Sequence, residues 1–243
     1  MTKPVCLITG VGEATGASIA ERFVRGGYRV AMVARNADRL ARLEAEIPGS
    51  QAYPCDIGDL DALSDCMATV RGDLGNPSVV IHNAVSATFD RFLDGNPEDL
   101  ERNFRVNTTA LLYLARCFAP AMIEAGSGSI VVTGNTAAVR GIPTYALFAP
   151  TKAAQRILAQ SLARDLGPRG IHVAYVIVDA AINASWLGEQ RPSWLVPPDH
   201  WAEKPEDYFA NPNAIADEIY HVAHQDRSVW SFDVELRPFG ESW

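Results

Sequence analysis

The stretch Val5-Cys6-Leu7-Ile8-Thr9-Gly10-Val11-Gly12-Glu13-Ala14-Thr15-Gly16 decides the fold. Its first five residues read as a buried strand, and a glycine loop follows at once. Ile19, Phe23 and Val24 then mark a helix face that stops at Gly26-Gly27. Glycines between a strand and a helix let the backbone approach a pyrophosphate, and the helix N-terminus supplies N–H groups and positive dipole. A glycine loop alone is weak evidence, because turns need glycine anyway. Its place after the first strand carries the nucleotide reading. Gly10, Gly12, Ala14, Thr15 and Gly16 are the candidate cradle.

Working outward, short apolar runs alternate with helical stretches. Arg29 to Ala34 reads as a second strand, followed by a helix over Ala37 to Ile47 with Leu40, Leu43 and Ile47 on one face. Ala52 to Cys55, Val79 to Ile81, Ser129 to Thr133, His172 to Val178 and Val229 to Leu236 read as strands three to seven. A long helix is expected from near Tyr145 to Leu166, ending at Gly167-Pro168. Apolar strands separated by helices imply a parallel sheet covered on both faces. Right-handed crossovers make it an α/β, Rossmann-type, doubly wound sheet of seven strands in a single domain, residues 1–243. The segment 184–212 breaks the rhythm. It carries Trp186, Trp194, Trp201, Tyr208 and Phe209 among Pro192, Pro197, Pro198 and Pro205. It reads as a lid over an apolar substrate or as an excursion packed on a neighbouring subunit.

Composition narrows the partners. The chain of 243 residues has a net charge of −8 and is 48% hydrophobic. That balance argues against nucleic acid, whose phosphates need clustered cations, and against a polybasic membrane anchor. No apolar run reaches the ~18 residues of a membrane span, and the N-terminus lacks a signal-peptide layout. Cys6, Cys55, Cys66 and Cys117 form no C-x-x-C pair and read as reduced, buried thiols of a cytoplasmic protein. An acidic chain must hold an anionic cofactor by local devices rather than by global attraction.

Ribose specificity is set at the end of the second strand, which reads Val33-Ala34-Arg35-Asn36. No acidic residue stands there to accept from a 2′-hydroxyl, whereas Arg35 can fork onto a 2′-phosphate. NADP(H) is therefore the expected cofactor. Asp56, after the third strand, either accepts from an adenine amino group or serves a turn.

These residues resemble the short-chain dehydrogenase/reductase family up to about Ile182. The glycine loop is similar to that family's Thr-Gly-x-x-x-Gly-x-Gly motif, and Cys55-Asp56-Ile57 to its adenine-site segment. His82-Asn83-Ala84-Val85 resembles its Asn-Asn-Ala-Gly segment. The resemblance implies that Ile57, Asn83, Ala84 and Ile182 contact cofactor, that Asn107 belongs to a proton relay, and that Lys152 is the catalytic lysine and holds the nicotinamide ribose. It also implies a homotetramer or homodimer through the helices near Asn107 and Lys152.

The departures concern the chemistry. Ala14 and Val85 replace glycines, and Asp179-Ala180 replaces Pro-Gly. The family's Tyr-x-x-x-Lys reads Phe148-Ala149-Pro150-Thr151-Lys152, and its serine falls on Asn135. Carbonyl reduction needs a proton as well as a hydride, and phenylalanine has none to give. Asn135 keeps an N–H donor for a substrate oxygen. Tyr145, seven residues before Lys152, is the substitute, with a spacing similar to the enoyl-thioester reductase branch. Seven helical residues span about 10 Å, and helical side chains lean toward the N-terminus. Tyr145 thus serves best from a loop before the helix; otherwise it only lines the pocket. His82 and Asp179 are weaker acid candidates and read first as structural. Two functions stay open: an NADP(H)-dependent oxidoreductase acting on a carbonyl or enoyl group of a small apolar substrate, or an NADP(H)-binding sensor or partner subunit with little turnover.

Overall fold

The computed structural model describes residues 3–182 and 204–240. The first half runs β1 (Val5–Thr9), α1 (Thr15–Arg25), β2 (Arg29–Ala34), α2 (Ala37–Glu46), β3 (Ser50–Pro54), α3 (Leu60–Leu74) and β4 (Val79–His82). Then come α4 (Pro97–Phe104), a π-helical turn over Arg105–Thr109, α5 (Ala110–Ala125), β5 (Gly128–Gly134), α6 (Ala149–Leu166) and β6 (Ile171–Val178). The two-residue strands β7 (Ala181–Ile182) and β8 (Phe209–Ala210) pair with each other, and α7 (Pro212–Ala223) and β9 (Asp233–Leu236) close the described chain.

Seven strands form one parallel sheet in the order β3-β2-β1-β4-β5-β6-β9. Strands β1, β4 and β6 are buried throughout, since helices cover both faces. On one face Leu63 and Met67 of α3, Leu114 and Phe118 of α5 and Leu166 of α6 share a core. On the other, Ile19 and Phe23 of α1, Leu40 of α2 and Ile219 of α7 share a second core. The order in which strands are added across the sheet reverses between β1 and β4, which opens a crevice at their C-terminal ends.

Side-chain caps set most helix starts. Asn36 accepts from the Arg39 N–H at 2.8 Å, and Asp59 accepts from the N–H groups of Asp61 and Ala62. Asn96 and Asn211 cap α4 and α7, each followed by proline. Helix α1 has no such cap at Ala14.

Several boundaries differ from the sequence reading. The long helix begins at Ala149, not near Tyr145. Pro150 lacks an N–H and is tolerated only in a first helical turn, so Tyr145 lies in the preceding turn. The last strand begins at Asp233 because Asp226 accepts from the Ser228 N–H and winds Arg227–Val229 into a 3-10 turn. The third strand is Ser50–Pro54, leaving Cys55 just beyond it. Cys66 and Cys117 are half-buried rather than buried, and all four cysteines are free. Within the aromatic segment, residues 184–203, with Trp186, Trp194 and Trp201, lie outside the described residues.

The continuous helix Pro97–Ala125 is long and apolar enough by composition to cross a membrane. Its Ala110, Leu111, Leu114, Phe118 and Met122 are spent on the core instead. It is the helix against which the reaction end of the site is built.

Candidate active site

A cleft of about 1650 Å³ opens at the β1/β4 reversal. Gly10, Gly12, Ala14, Thr15, Gly16, Arg35, Asp56, Ile57, Asn83, Ala84 and Ile182 all line it. Those candidate cofactor residues therefore share one surface. Lys152, Tyr145, Asn107 and Asn135 are not part of that lining.

The floor is made by close backbone approach. Gly10 has φ +75°, and a Cβ there would lie 2.3 Å from the Ala84 Cα. Its carbonyl accepts from Asn83 Nδ2 at 2.9 Å, and Asn83 Oδ1 accepts from Thr133 Oγ1 at 3.0 Å. Asn83 thus ties the glycine loop to β5. A Cβ on Gly16 would meet the Val11 Cα at 2.7 Å, whereas one on Gly12 meets nothing within 4 Å. Ala14 sits at φ −92°, outside the left-handed region that favours glycine.

The cradle fits a pyrophosphate on its own evidence. The N-terminus of α1 has no side-chain cap, and Thr15 Oγ1 is buried with no hydrogen-bond partner. A buried hydroxyl without a partner is costly unless a ligand oxygen completes it. Asp56 Oδ1 accepts from the Gly58 N–H at 3.0 Å. It therefore serves a turn while still lining the cleft.

Sequence reasoning missed a basic face. Arg39 and Arg42 of α2, and Arg35 just before its cap, all line the cleft. Arg35 is exposed. Arg39 is half-buried, and its Nε is sealed from solvent with no partner. Arg42 is ion-paired to Glu13 of the glycine loop. The signal was the pair Arg39 and Arg42, three residues apart on the helix that follows Arg35.

At the reaction end, Lys152 is 2% exposed and donates from Nζ to the Thr133 carbonyl at 3.1 Å. Burial lowers its pKa from 10.5 to about 7. Asn107 lies within the π-helical turn. Its Nδ2 donates to the Ser86 carbonyl and to Thr151 Oγ1, both at 2.8 Å, and its Oδ1 accepts from the Ser86 N–H at 2.9 Å. Asn103, one turn earlier, donates to the Leu147 carbonyl at 3.0 Å and accepts from Ser86 Oγ at 2.6 Å. The two asparagines staple the loop after β4 to the start of α6.

Asn135 Oδ1 accepts from the Ala137 N–H at 3.2 Å. Phe148 is buried, and its ring meets those of Tyr145 (5.7 Å) and Phe89 (5.4 Å) edge-on. Tyr145 borders a second cavity of about 400 Å³ with Ala137, Val139, Ile142 and Ala149.

Two weaker candidates take structural places. His82 Nε2 faces the Asn107 carbonyl at 3.2 Å, which can only accept. Nε2 therefore carries the proton, and Nδ1 accepts from Thr9 Oγ1 at 3.0 Å. Burial, and next the charge of Lys152, lower its pKa to about 4. Asp179 lies between Arg140 and Arg237, at 4.0 and 3.5 Å.

The sheet order, the reversal-point cleft and the uncapped α1 define a Rossmann-type dinucleotide-binding protein. The short chain dehydrogenase family profile matches residues 4–187. The chain belongs to the short-chain dehydrogenase/reductase family, whose members are oxidoreductases that bind a nicotinamide cofactor. It is 33% identical to D-erythrulose reductase of Gallus gallus over 168 residues, 69% of this chain and 67% of that one. It is 32% identical to carbonyl reductase [NADPH] 2 of Sus scrofa over 179 residues, 73% and 72% of the two chains. A metagenomic short-chain oxidoreductase solved with NADP superposes with a TM-score of 0.81 at 25% identity, covering 98% and 97% of the two chains.

Proposed function

We propose that this protein is an NADP(H)-dependent reductase of a carbonyl or enoyl group on a small apolar substrate. The observation that carries the cofactor choice is the arginine pair of Arg35, just before α2, and Arg39 within it. A half-buried arginine whose Nε lacks a partner, beside an exposed one, suits a 2′-phosphate. The carbonyl side is supported by relatives named as reductases. Those names also favour turnover over the sensor reading. The cavity beside Tyr145 supports an apolar substrate, because alanines, Val139 and Ile142 dominate it.

A bound nicotinamide dinucleotide supplies the hydride. This chain's residues bind it and manage the substrate. The glycine loop, the α1 N-terminus and Thr15 hold the phosphates; Ile57, Asn83, Ala84 and Ile182 wall the rest. Tyr145, from its turn, and Asn135 Nδ2 donate to the substrate oxygen. Asn107 holds the loop carrying Ser86 in place. Exposed Leu112 on α5 and Ile157 on α6 support a homodimer or homotetramer, and four free thiols support a cytoplasmic setting.

Two measurements test this. Arg39→Ala and Arg35→Ala are each expected to weaken NADPH binding at least tenfold in a fluorescence titration, with NADH changed less than threefold. Equal weakening of both cofactors removes the 2′-phosphate assignment. Tyr145→Phe is expected to lower kcat at least tenfold, and wild-type kcat in that variant removes Tyr145 from the reaction.

A further inference from the structure

Of the eight residues of α4, only Asn103 is fully buried, and it is polar. A buried amide is costly unless its donors and acceptor are met. The Leu147 carbonyl can only accept, so the atom facing it at 3.0 Å is Nδ2. The second N–H of Nδ2 goes to Thr88 Oγ1 at 3.3 Å, and Oδ1 accepts from Ser86 Oγ at 2.6 Å. One side chain therefore holds the loop after β4 at two points and the turn before α6 at a third.

Both held segments bear on Tyr145. The two local donors that a helix would offer the Leu147 carbonyl are lost: Pro150 has no N–H, and the Thr151 N–H bonds the Phe148 carbonyl at 3.0 Å. Asn103 supplies the donor instead. Leu147 is buried in a turn closed on Tyr145, whose carbonyl accepts from the N–H groups of Phe148 and Ala149 at 3.0 and 2.8 Å. Fixing Leu147 thus fixes the backbone that carries the phenol. The loop after β4 presents Phe89, one residue beyond Thr88, and its ring lies 5.5 Å from that of Tyr145. Ser86, on the same loop, lines the cofactor cleft.

We infer that Asn103 is a positioning residue, which sets the spacing between the wall of the cofactor cleft and the Tyr145 phenol. The inference rests on the reductase reading above, in which Tyr145 donates to the substrate oxygen. Asn103 lines neither cavity and acts only through the segments it ties. A displacement of about 1 Å at a reacting group costs on the order of 100-fold in rate. Asn107, one turn later, cannot replace it. Its side chain bonds the Ser86 backbone and Thr151 Oγ1, and reaches neither Thr88 nor Leu147.

Asn103→Leu keeps the branched shape and removes all three hydrogen bonds. Its kcat for reduction is expected to fall at least tenfold, with the NADPH dissociation constant within threefold of wild type. In a Tyr145→Phe background the same substitution is expected to change kcat less than twofold, because the group it positions is already gone. The phenol can also be followed without turnover. The chain has 7 tyrosines, and with tyrosine labelled at Cζ with carbon-13 the Tyr145 resonance is the one lost in Tyr145→Phe. Asn103→Leu is expected to displace that resonance and to leave those of Tyr28, beside β2, and Tyr53, on β3, in place. Where Asn103→Leu does not fold, Asn103→Ser, too short to reach Leu147, carries the same expectations. A smaller fall in kcat, losses that multiply with those of Tyr145→Phe, or an unmoved Tyr145 resonance overturns the inference while leaving the reductase reading intact. Failure of the wild type to turn over any carbonyl or enoyl compound, with the resonance displaced as expected, overturns the reductase reading instead.

Discussion

Gly10→Ala is expected to destabilise the fold by at least about 2 kcal/mol and to abolish measurable dinucleotide binding. Two effects add. The residue sits at φ +75°, a left-handed conformation that costs a side-chain-bearing residue about 1 kcal/mol or more. Its Cβ would also lie 2.3 Å from the Ala84 Cα and 2.5 Å from the Ala84 nitrogen, which are backbone atoms that no rotamer change can move aside. The loop must therefore separate from the end of β4 and break the Asn83-to-Gly10 hydrogen bond. Gly12→Ala is the control. Its Cβ meets nothing within 4 Å, so urea unfolding is expected to show a change under about 0.5 kcal/mol. Equal losses in the two variants would show that close approach at Gly10 does not hold the cradle together.

The second large effect is on stability against pH. Lys152 has a pKa of about 7 when folded, against about 10.4 in an unfolded chain. Between those values the unfolded state binds one more proton, so stability rises with pH at about 1.4 kcal/mol per unit. Over pH 7 to 9, wild type is expected to gain about 2 kcal/mol relative to Lys152→Met, which has no proton to exchange. Below pH 7 both states hold the proton, and the difference levels off. The comparison stays at or below pH 9 because burial also raises the Cys6 and Tyr175 pKa values, and such groups weaken the fold at higher pH. Parallel stability curves for wild type and Lys152→Met would mean that Lys152 is not desolvated.

The fold was legible in the sequence because β1, β4 and β6 are buried on both faces and read as unbroken apolar runs. The glycine loop placed the cleft for the same reason: Gly10 and Gly16 stand where backbone touches backbone. Boundaries were harder. Periodicity carried the long helix back to Tyr145, but Pro150 stops it at Ala149. Strand β9 is an edge strand with alternating exposure, so its apolar pattern was too weak to mark its start at Asp233.

The reaction end was less legible. Asn107 meets Thr151 and Gln155 across more than forty residues of sequence, and only the folded chain brings them together. The π-helical turn that bears Asn107 leaves no mark in hydrophobic spacing. Arg39 and Gln155 read as ordinary helix residues until one is found lining a cleft with a buried, partnerless Nε and the other saturating a carbonyl. That Phe148 has no proton to give, by contrast, is plain in the sequence, and it is what turns attention to Tyr145.

The most direct test is NADPH consumption by the purified protein against a panel of apolar ketones, enones and enoyl thioesters, with NADH in parallel. Saturable oxidation of NADPH by at least one member, with kcat/KM at least tenfold above that for NADH, is the predicted result. Tight NADPH binding without turnover across the whole panel, or a preference for NADH, would contradict it.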